Sequence, residues 1–130
     1  MKRLSFILLL IGFSLSVHAQ DETTEGIVYR IAEVNPAFPG GEGALANFLR
    51  ENIEYPAFSR EEDIEGEVFV QFVVNSDGRI SNIELLKGIG GGCDEEAMRV
   101  VGIMPDWIPG ENNGVLVNVY FVLPINFRLY

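Results

Sequence analysis

Histidine, cysteine and basic residues are scarce in this chain. Its 130 residues include one His, one Cys and 9 Lys and Arg against 19 Asp and Glu. A single cysteine cannot build an intrachain disulfide framework or a multi-thiolate zinc site. The net charge of −10 argues against a nucleic-acid surface and against docking on anionic lipid, because both depend on Lys and Arg. The length allows one ordinary domain with a hydrophobic core.

Long apolar runs are also lacking, apart from residues 4–17. That run is shorter than the roughly 20 residues that a transmembrane helix needs. Lys2 and Arg3 precede it, and the small residue Ala19 ends it before the polar Gln20. This order is typical of a secretory signal peptide over residues 1–19, cleaved between Ala19 and Gln20. We therefore expect a periplasmic protein, with an uncleaved inner-membrane anchor as the alternative.

Cleavage would leave the mature chain without any histidine, because His18 lies in the signal. Ser-His-Asp and Cys-His catalysis both need an imidazole base, and zinc sites with histidine ligands are excluded as well. Lys87 would be the only lysine left. The sequence therefore favours a protein that is not an enzyme, with no catalytic residues, no metal site and no cofactor.

Hydrophobic periodicity divides the rest of the chain into alternating elements. Residues 27–32 are β-branched and aromatic, typical of a short strand in an N-terminal segment over residues 20–33. Residues 42–53 and 94–104 have apolar side chains at helical spacing. Residues 67–74 predict a strand covered on both faces, because Phe69 and Val73 add to the apolar face that Val68 starts. Residues 79–87 predict its hairpin partner, and residues 115–123 the last strand.

These elements predict an α+β domain over residues 34–130. Two helices would pack on one face of a three-stranded antiparallel sheet, whose order is residues 79–87, residues 67–74 and then the last strand. The short N-terminal strand is an optional addition. The last strand would then lie at an edge with unpaired backbone groups, and an open edge is either a liability or a binding site.

Several residues have a structural and a functional interpretation. Cys93 is either a reactive thiol or a small buried side chain, and Trp107 either stacks a ligand or fills the core. The acidic residues 61–65 lack the spacing of a calcium loop, which favours a solvated surface. Asp94 is expected to cap the second helix. Tyr55 and Pro56 are either a helix stop or part of a site.

Taken together, a set of short motifs resembles the C-terminal domain of TonB, the energy transducer of Gram-negative outer-membrane transport. The resemblance covers roughly residues 34–128 and is closest to the Bacteroidetes type. The motifs that carry it are Phe38-Pro39-Gly40-Gly41, Tyr55-Pro56, Glu65-Gly66-Glu67-Val68, Asn75-Ser76-Asp77-Gly78, Cys93-Asp94-Glu95-Glu96, Met104-Pro105-Asp106-Trp107 and Asn113-Gly114.

The resemblance implies a non-catalytic role. Members of the family bind the TonB box, a short extended peptide of outer-membrane receptors, by β-strand addition to the last strand. Glu54, Tyr55 and Pro56 would flank the peptide, although Glu54 stands where a glutamine is often found. Backbone pairing would come from Val115, Leu116, Val117, Asn118, Val119, Tyr120 and Phe121.

The resemblance also implies inner-membrane motor partners, ExbB and ExbD, if residues 4–17 remain as an anchor. Ser14 and His18 repeat a spacing seen in the family's membrane helix, but His18 lies inside the expected cleavage site. The family's proline-rich spacer is not found, since residues 20–39 contain only Pro36 and Pro39. The alternative is a self-associating or structural module, including a homodimer, whose edge strand is closed by residues 27–32.

Overall fold

The computed structural model describes residues 26–129. Three helices and five strands alternate along the chain, and two of the strands are very short. The elements are β1 (Val28–Tyr29), α1 (Glu42–Asn52), α2 (Ala57–Glu61), β2 (Gly66–Val74), β3 (Ile80–Lys87), α3 (Cys93–Gly102), β4 (Gly110–Asn112) and β5 (Val115–Phe127).

One sheet joins all five strands. Its main path is β1-β5-β2-β3, and β4 pairs with β5. β2 is antiparallel to both neighbours, and its register with β5 runs without a shift from Gly66↔Phe127 to Val74↔Val119. The predicted α+β class and the predicted order of the three main strands are therefore confirmed. The predicted N-terminal strand is present but shorter, and it pairs parallel with β5 through Val28↔Asn118 and Tyr29↔Val119.

The core lies between one face of the sheet and the helices. Alternate residues of β2, from Val68 to Val74, are fully buried and pack with Leu123, Ile125 and Phe127 of β5. Ala97 and Val101 of α3 and the partly buried Leu45 and Phe48 of α1 cover them. Burial of each large apolar side chain stabilises the fold by about 1.5–3 kcal/mol. α1 has no fully buried residue, so one flank of this helix borders solvent.

Trp107 is 3% exposed and makes edge contacts with Phe38, Phe72 and Phe121, which agrees with a role in the core. Its backbone also holds the β2–β3 hairpin. The Trp107 N–H donates to the carbonyl of Gly78 at 2.8 Å. Gly78 has φ +90, and a Cβ there would lie 2.4 Å from the Trp107 carbonyl oxygen. Only glycine fits this turn.

The start of α3 differs from the prediction. The helix begins at Cys93 and its N-cap is Gly92, so Asp94 is not the cap. The Asp94 carboxylate instead accepts the backbone N–H of Ile89 at 2.8 Å and that of Gly90 at 3.2 Å. Because these donors precede the helix, Asp94 fixes the glycine-rich connection instead. Cys93 is fully buried, and its Sγ lies 3.4 Å from Oγ of Ser59.

The predicted signal peptide, with its cleavage site between Ala19 and Gln20, lies outside the described residues. Across residues 26–129, no helix has the length and apolar character to cross a bilayer.

Candidate functional site

The outer edge of β5, opposite β2, is the predicted peptide site, and the structure divides it into three parts. Val115 to Val117 pair with β4 in a hairpin. Asn118 and Val119 pair with β1. From Tyr120 onward, no strand in the described part of the chain pairs with this edge. The open part therefore begins where most of the predicted stretch ends, and it extends beyond Phe121.

Pro124 shows which backbone groups point outward. It is paired with Phe69 inside the uninterrupted β2–β5 register. Proline has no N–H, so it fits such a ladder only where its nitrogen faces away from the partner strand. Tyr120 and Val122 have the same parity as Pro124 and therefore present their N–H and C=O groups to the open edge. Pro124 itself limits pairing at the far end.

Side chains alternate in the opposite sense to the accessible backbone. Val119, Leu123, Ile125 and Phe127 are buried, and the partly buried Phe121 packs on Trp107 with ring centroids 4.8 Å apart. Of the predicted residues, Phe121 therefore has its side chain in the core. Val122 is 43% exposed and was not among the predicted residues. The alternation of β5 from 119 to 127 contained the signal for it.

β1 is held on the edge by two side-chain contacts as well as by its backbone. The Asn118 amide donates to the carbonyl of Ile27 at 3.0 Å, and its oxygen accepts the Ser76 N–H at 2.8 Å. The Arg30 guanidinium lies 4.5 Å from the centre of the Tyr120 ring. The N-terminal segment thus covers part of the surface that a peptide would need.

A groove of about 480 Å³ lies beside the open edge, between α1, α2 and the last residues of β5. Its floor is largely apolar, and its charged groups are all arginines. The groove is lined by Ala46, Leu49, Arg50, Ile53, Tyr55, Arg60, Pro124, Ile125, Asn126, Phe127 and Arg128. An extended chain on the β5 edge would run directly along it.

Tyr55 forms one wall of this groove. Its ring packs edge-on against Phe127 with centroids 5.6 Å apart, and its hydroxyl donates to the carbonyl of Ile64. Burial raises the pKa of the Tyr55 phenol above its ordinary value of 10.0. The side chain is thus a neutral, fixed support for the groove.

Glu54 and Pro56 lie on the opposite side of Tyr55, in a second, shallow cavity that also includes Glu96 and Arg99. The Glu54 N–H donates to the Glu96 carboxylate at 2.7 Å. Hydrogen bonds from Arg99 hold the pKa of Glu96 below its usual value of 4.5. Of the three predicted flanking residues, Tyr55 alone lines the groove beside β5, while Glu54 and Pro56 fix its position from behind.

Metal ligands do not cluster here. Within residues 26–129, no three His, Cys, Asp or Glu side chains are arranged to hold a metal ion. The site therefore offers backbone groups, an apolar floor and guanidinium groups.

Known proteins resemble the chain in sequence and in fold. The family model for the Gram-negative bacterial TonB protein C-terminal matches residues 51–129. Two NMR solution structures of the Helicobacter pylori TonB-CTD share its fold at 22% identity. One covers 65% of this chain and 89% of its own, with a TM-score of 0.50. The other covers 71% and 87%, with a TM-score of 0.51. No curated protein matches the sequence.

Proposed function

Because the chain belongs to the family of Gram-negative bacterial TonB protein C-terminal domains, we propose that it binds TonB-box peptides of outer-membrane receptors. Binding would occur by β-strand addition to β5, as part of TonB-dependent transport across the outer membrane. The domain would work in the periplasm as a binding module without catalytic activity. The family relation is consistent with a TonB-like energy transducer.

The observation that carries this proposal is the open edge of β5. Tyr120 and Val122 present unpaired backbone groups beside a groove that is long enough for side chains. Strand addition takes affinity from main-chain hydrogen bonds and selectivity from pockets for alternate side chains. The edge supplies the first and the groove supplies the second. Several such hydrogen bonds loaded together would also resist a pulling force.

Titration of the mature protein with a synthetic TonB-box peptide tests the proposal. We expect amide resonances of Tyr120, Phe121 and Val122 to shift, because their backbone would gain partners. A peptide with the same residues in scrambled order is the control. If the β5 resonances do not move when the TonB-box peptide is in excess, strand addition at this edge is wrong.

A second candidate function is self-closure, and a specific observation favours it. β1 already pairs with Asn118 and Val119 on the same edge, and Arg30 lies over Tyr120. In this version the edge is closed within the chain, or between two copies in a homodimer, and no peptide binds. A variant lacking residues 20–29 separates the two functions. Self-closure predicts new oligomers or new binding in that variant, whereas TonB-box binding predicts binding by the intact protein too.

The membrane relation forms a separate part of the proposal. We propose export by a cleaved signal over residues 1–19 and a domain that starts at residue 34. The intact mass of the native protein tests this, since cleavage predicts an N-terminus at Gln20. A membrane-bound form that begins at Met1 would contradict cleavage. Co-purification with ExbB and ExbD would then be the test of direct energy coupling.

A further inference from the structure

The groove beside β5 collects positive charge in an acidic protein. The whole chain contains 9 Lys and Arg against 19 Asp and Glu. Arg50, Arg60 and Arg128 nevertheless lie around this one groove, and no carboxylate lines it. They come from α1, α2 and the end of β5, so the fold has brought together residues that are distant in the sequence.

These arginines are not neutralised by the protein itself. The ion pairs among residues 26–129 are Arg79 with Asp77 at 3.8 Å and Arg99 with Glu96 at 2.7 Å. Arg50 instead donates to the neutral amide oxygen of Asn47, and the Arg60 guanidinium lies 5.6 Å from the centre of the Tyr55 ring. A guanidinium held on an aromatic face keeps donors free for a carboxylate.

The position of the groove decides what kind of ligand would reach it. It borders Pro124 to Arg128 of β5, which follow directly on the open backbone of Tyr120 and Val122. A strand that pairs with Tyr120 and Val122 must continue over the groove, because Pro124 offers no N–H to hold it against the edge. Residues of the ligand beyond Pro124 are therefore read by side chains and not by backbone pairing.

From this arrangement we propose that the groove binds acidic side chains of the partner's extended segment. The segment would carry alternating apolar residues where it pairs with Tyr120 and Val122, and Asp or Glu residues at the end that passes Pro124. The carboxylates would accept hydrogen bonds from Arg50, Arg60 and Arg128. This inference rests on the proposed function, since the same β5 edge holds the peptide. It adds the charge and the position that select the partner.

Two synthetic peptides test the proposal against the full mature protein. Both have the same alternating apolar half, and one ends in two Glu residues where the other ends in two Gln. We expect the acidic peptide to bind about tenfold more tightly at low salt, since exposed ion pairs contribute up to about 1 kcal/mol each and the gain is partly additive. High salt should reduce the difference, because it screens exposed charges.

Protein variants assign the difference to the groove. Arg50→Gln, Arg60→Gln and Arg128→Gln, singly and combined, should weaken the acidic peptide and leave the neutral peptide unchanged. Arg79→Gln is the matched control, since it removes the same charge at the hairpin, away from the groove. The single variants keep the test valid if the triple variant does not fold.

The outcomes separate this inference from the proposed function. Equal affinity for both peptides, with shifts at β5, overturns the acidic preference and leaves strand addition intact. Loss of affinity in Arg79→Gln as large as in the groove variants also overturns it, since the effect would be general charge attraction. Binding of the acidic peptide without shifts at Tyr120 and Val122 would overturn strand addition and retain the groove. If neither peptide binds, both are wrong.

Discussion

The two edges of the sheet are built differently. β3 forms one edge and is irregular. Its register with β2 shifts twice, between Phe69 and Val70 and between Gln71 and Val73, and Asn82 has φ 52. β5 forms the other edge and keeps one register over residues 119–127. Bulges protect an edge against pairing because they bend the strand away from a straight partner.

This contrast identifies the edge that can accept a strand. β3 is polar and exposed along most of its length and carries Lys87 at its end, which also discourages pairing. β5 is straight, and its protection is limited to a two-residue strand at one end and Pro124 at the other. The difference teaches that the molecule defends β3 permanently, while β5 is covered by a segment that a competitor could displace.

The largest effect is expected when the strand between the two edges loses its core contact. Phe72→Ala removes a fully buried ring that contacts Trp107 and Phe121. The cavity should lower the free energy of unfolding by about 3–5 kcal/mol, as measured by urea denaturation. Leu86→Ala on β3 is the comparison. Because Leu86 is 50% exposed, its truncation should cost less than about 0.5 kcal/mol. Similar losses in both variants would contradict the assigned core.

A proline on the open edge should remove peptide binding without unfolding the domain. Val122→Pro deletes one outward N–H, at the same parity as the natural Pro124, so the ladder to β2 stays intact. We expect affinity for a TonB-box peptide to fall at least about tenfold, because a main-chain hydrogen bond is lost and its partner is left unpaired. Isothermal titration calorimetry measures this. Val122→Thr keeps the donor and should bind nearly as well as the native protein. Equal loss in both variants would indicate that the side chain matters instead.

Weakening the cover on β5 should have a smaller and opposite effect. Arg30→Ala removes the guanidinium that lies over the Tyr120 ring. Such contacts contribute about 0.5–1 kcal/mol at exposed sites, so peptide affinity should rise about two- to fivefold if β1 competes for the edge. Arg79→Ala removes the same charge elsewhere and should leave affinity unchanged. Unchanged affinity in Arg30→Ala would show that β1 does not compete with the peptide.

The smallest effect concerns the support behind Tyr55 and depends on pH. The pKa of Glu96 is lowered by hydrogen bonds from Arg99 and from the Glu54 N–H. The stabilisation is therefore present above about pH 4.5 and is lost as the pH falls through the lower folded-state pKa. Glu96→Gln should be less stable than the native protein at pH 7 by less than about 1 kcal/mol. The two stability curves should converge as the pH falls below the usual pKa. A constant difference across that range would assign the effect to packing.

Much of the fold could be predicted from local pattern. β2 is apolar on both faces, so its central position follows from burial alone, and the two helices follow from apolar spacing. The N-cap of α3 could not be predicted in this way. Asp94 is a good capping residue in isolation, but its carboxylate is engaged by backbone donors of the preceding glycine-rich turn. Contacts outside the helix decided its role.

The candidate site was only partly predictable for a related reason. Tyr55 and the last strand were found from motifs, and the alternation of β5 contained the information that Val122 faces outward. The hairpin of β4 on Val115 to Val117 and the pairing of β1 with Asn118 depend on which segments meet in space. Both occupy backbone groups that the sequence pattern alone leaves open.

The sequence by itself therefore determined the class of the fold, the order of its three main strands and the excess of acidic residues, because periodicity and composition are local properties. The tertiary structure alone decided which edge of the sheet stays available and where positive charge collects. Arg50, Arg60 and Arg128 lie on three different elements, and no spacing in the sequence relates them. Packing of α1 and α2 against the end of β5 brings them to one groove, and that arrangement is a property of the folded chain.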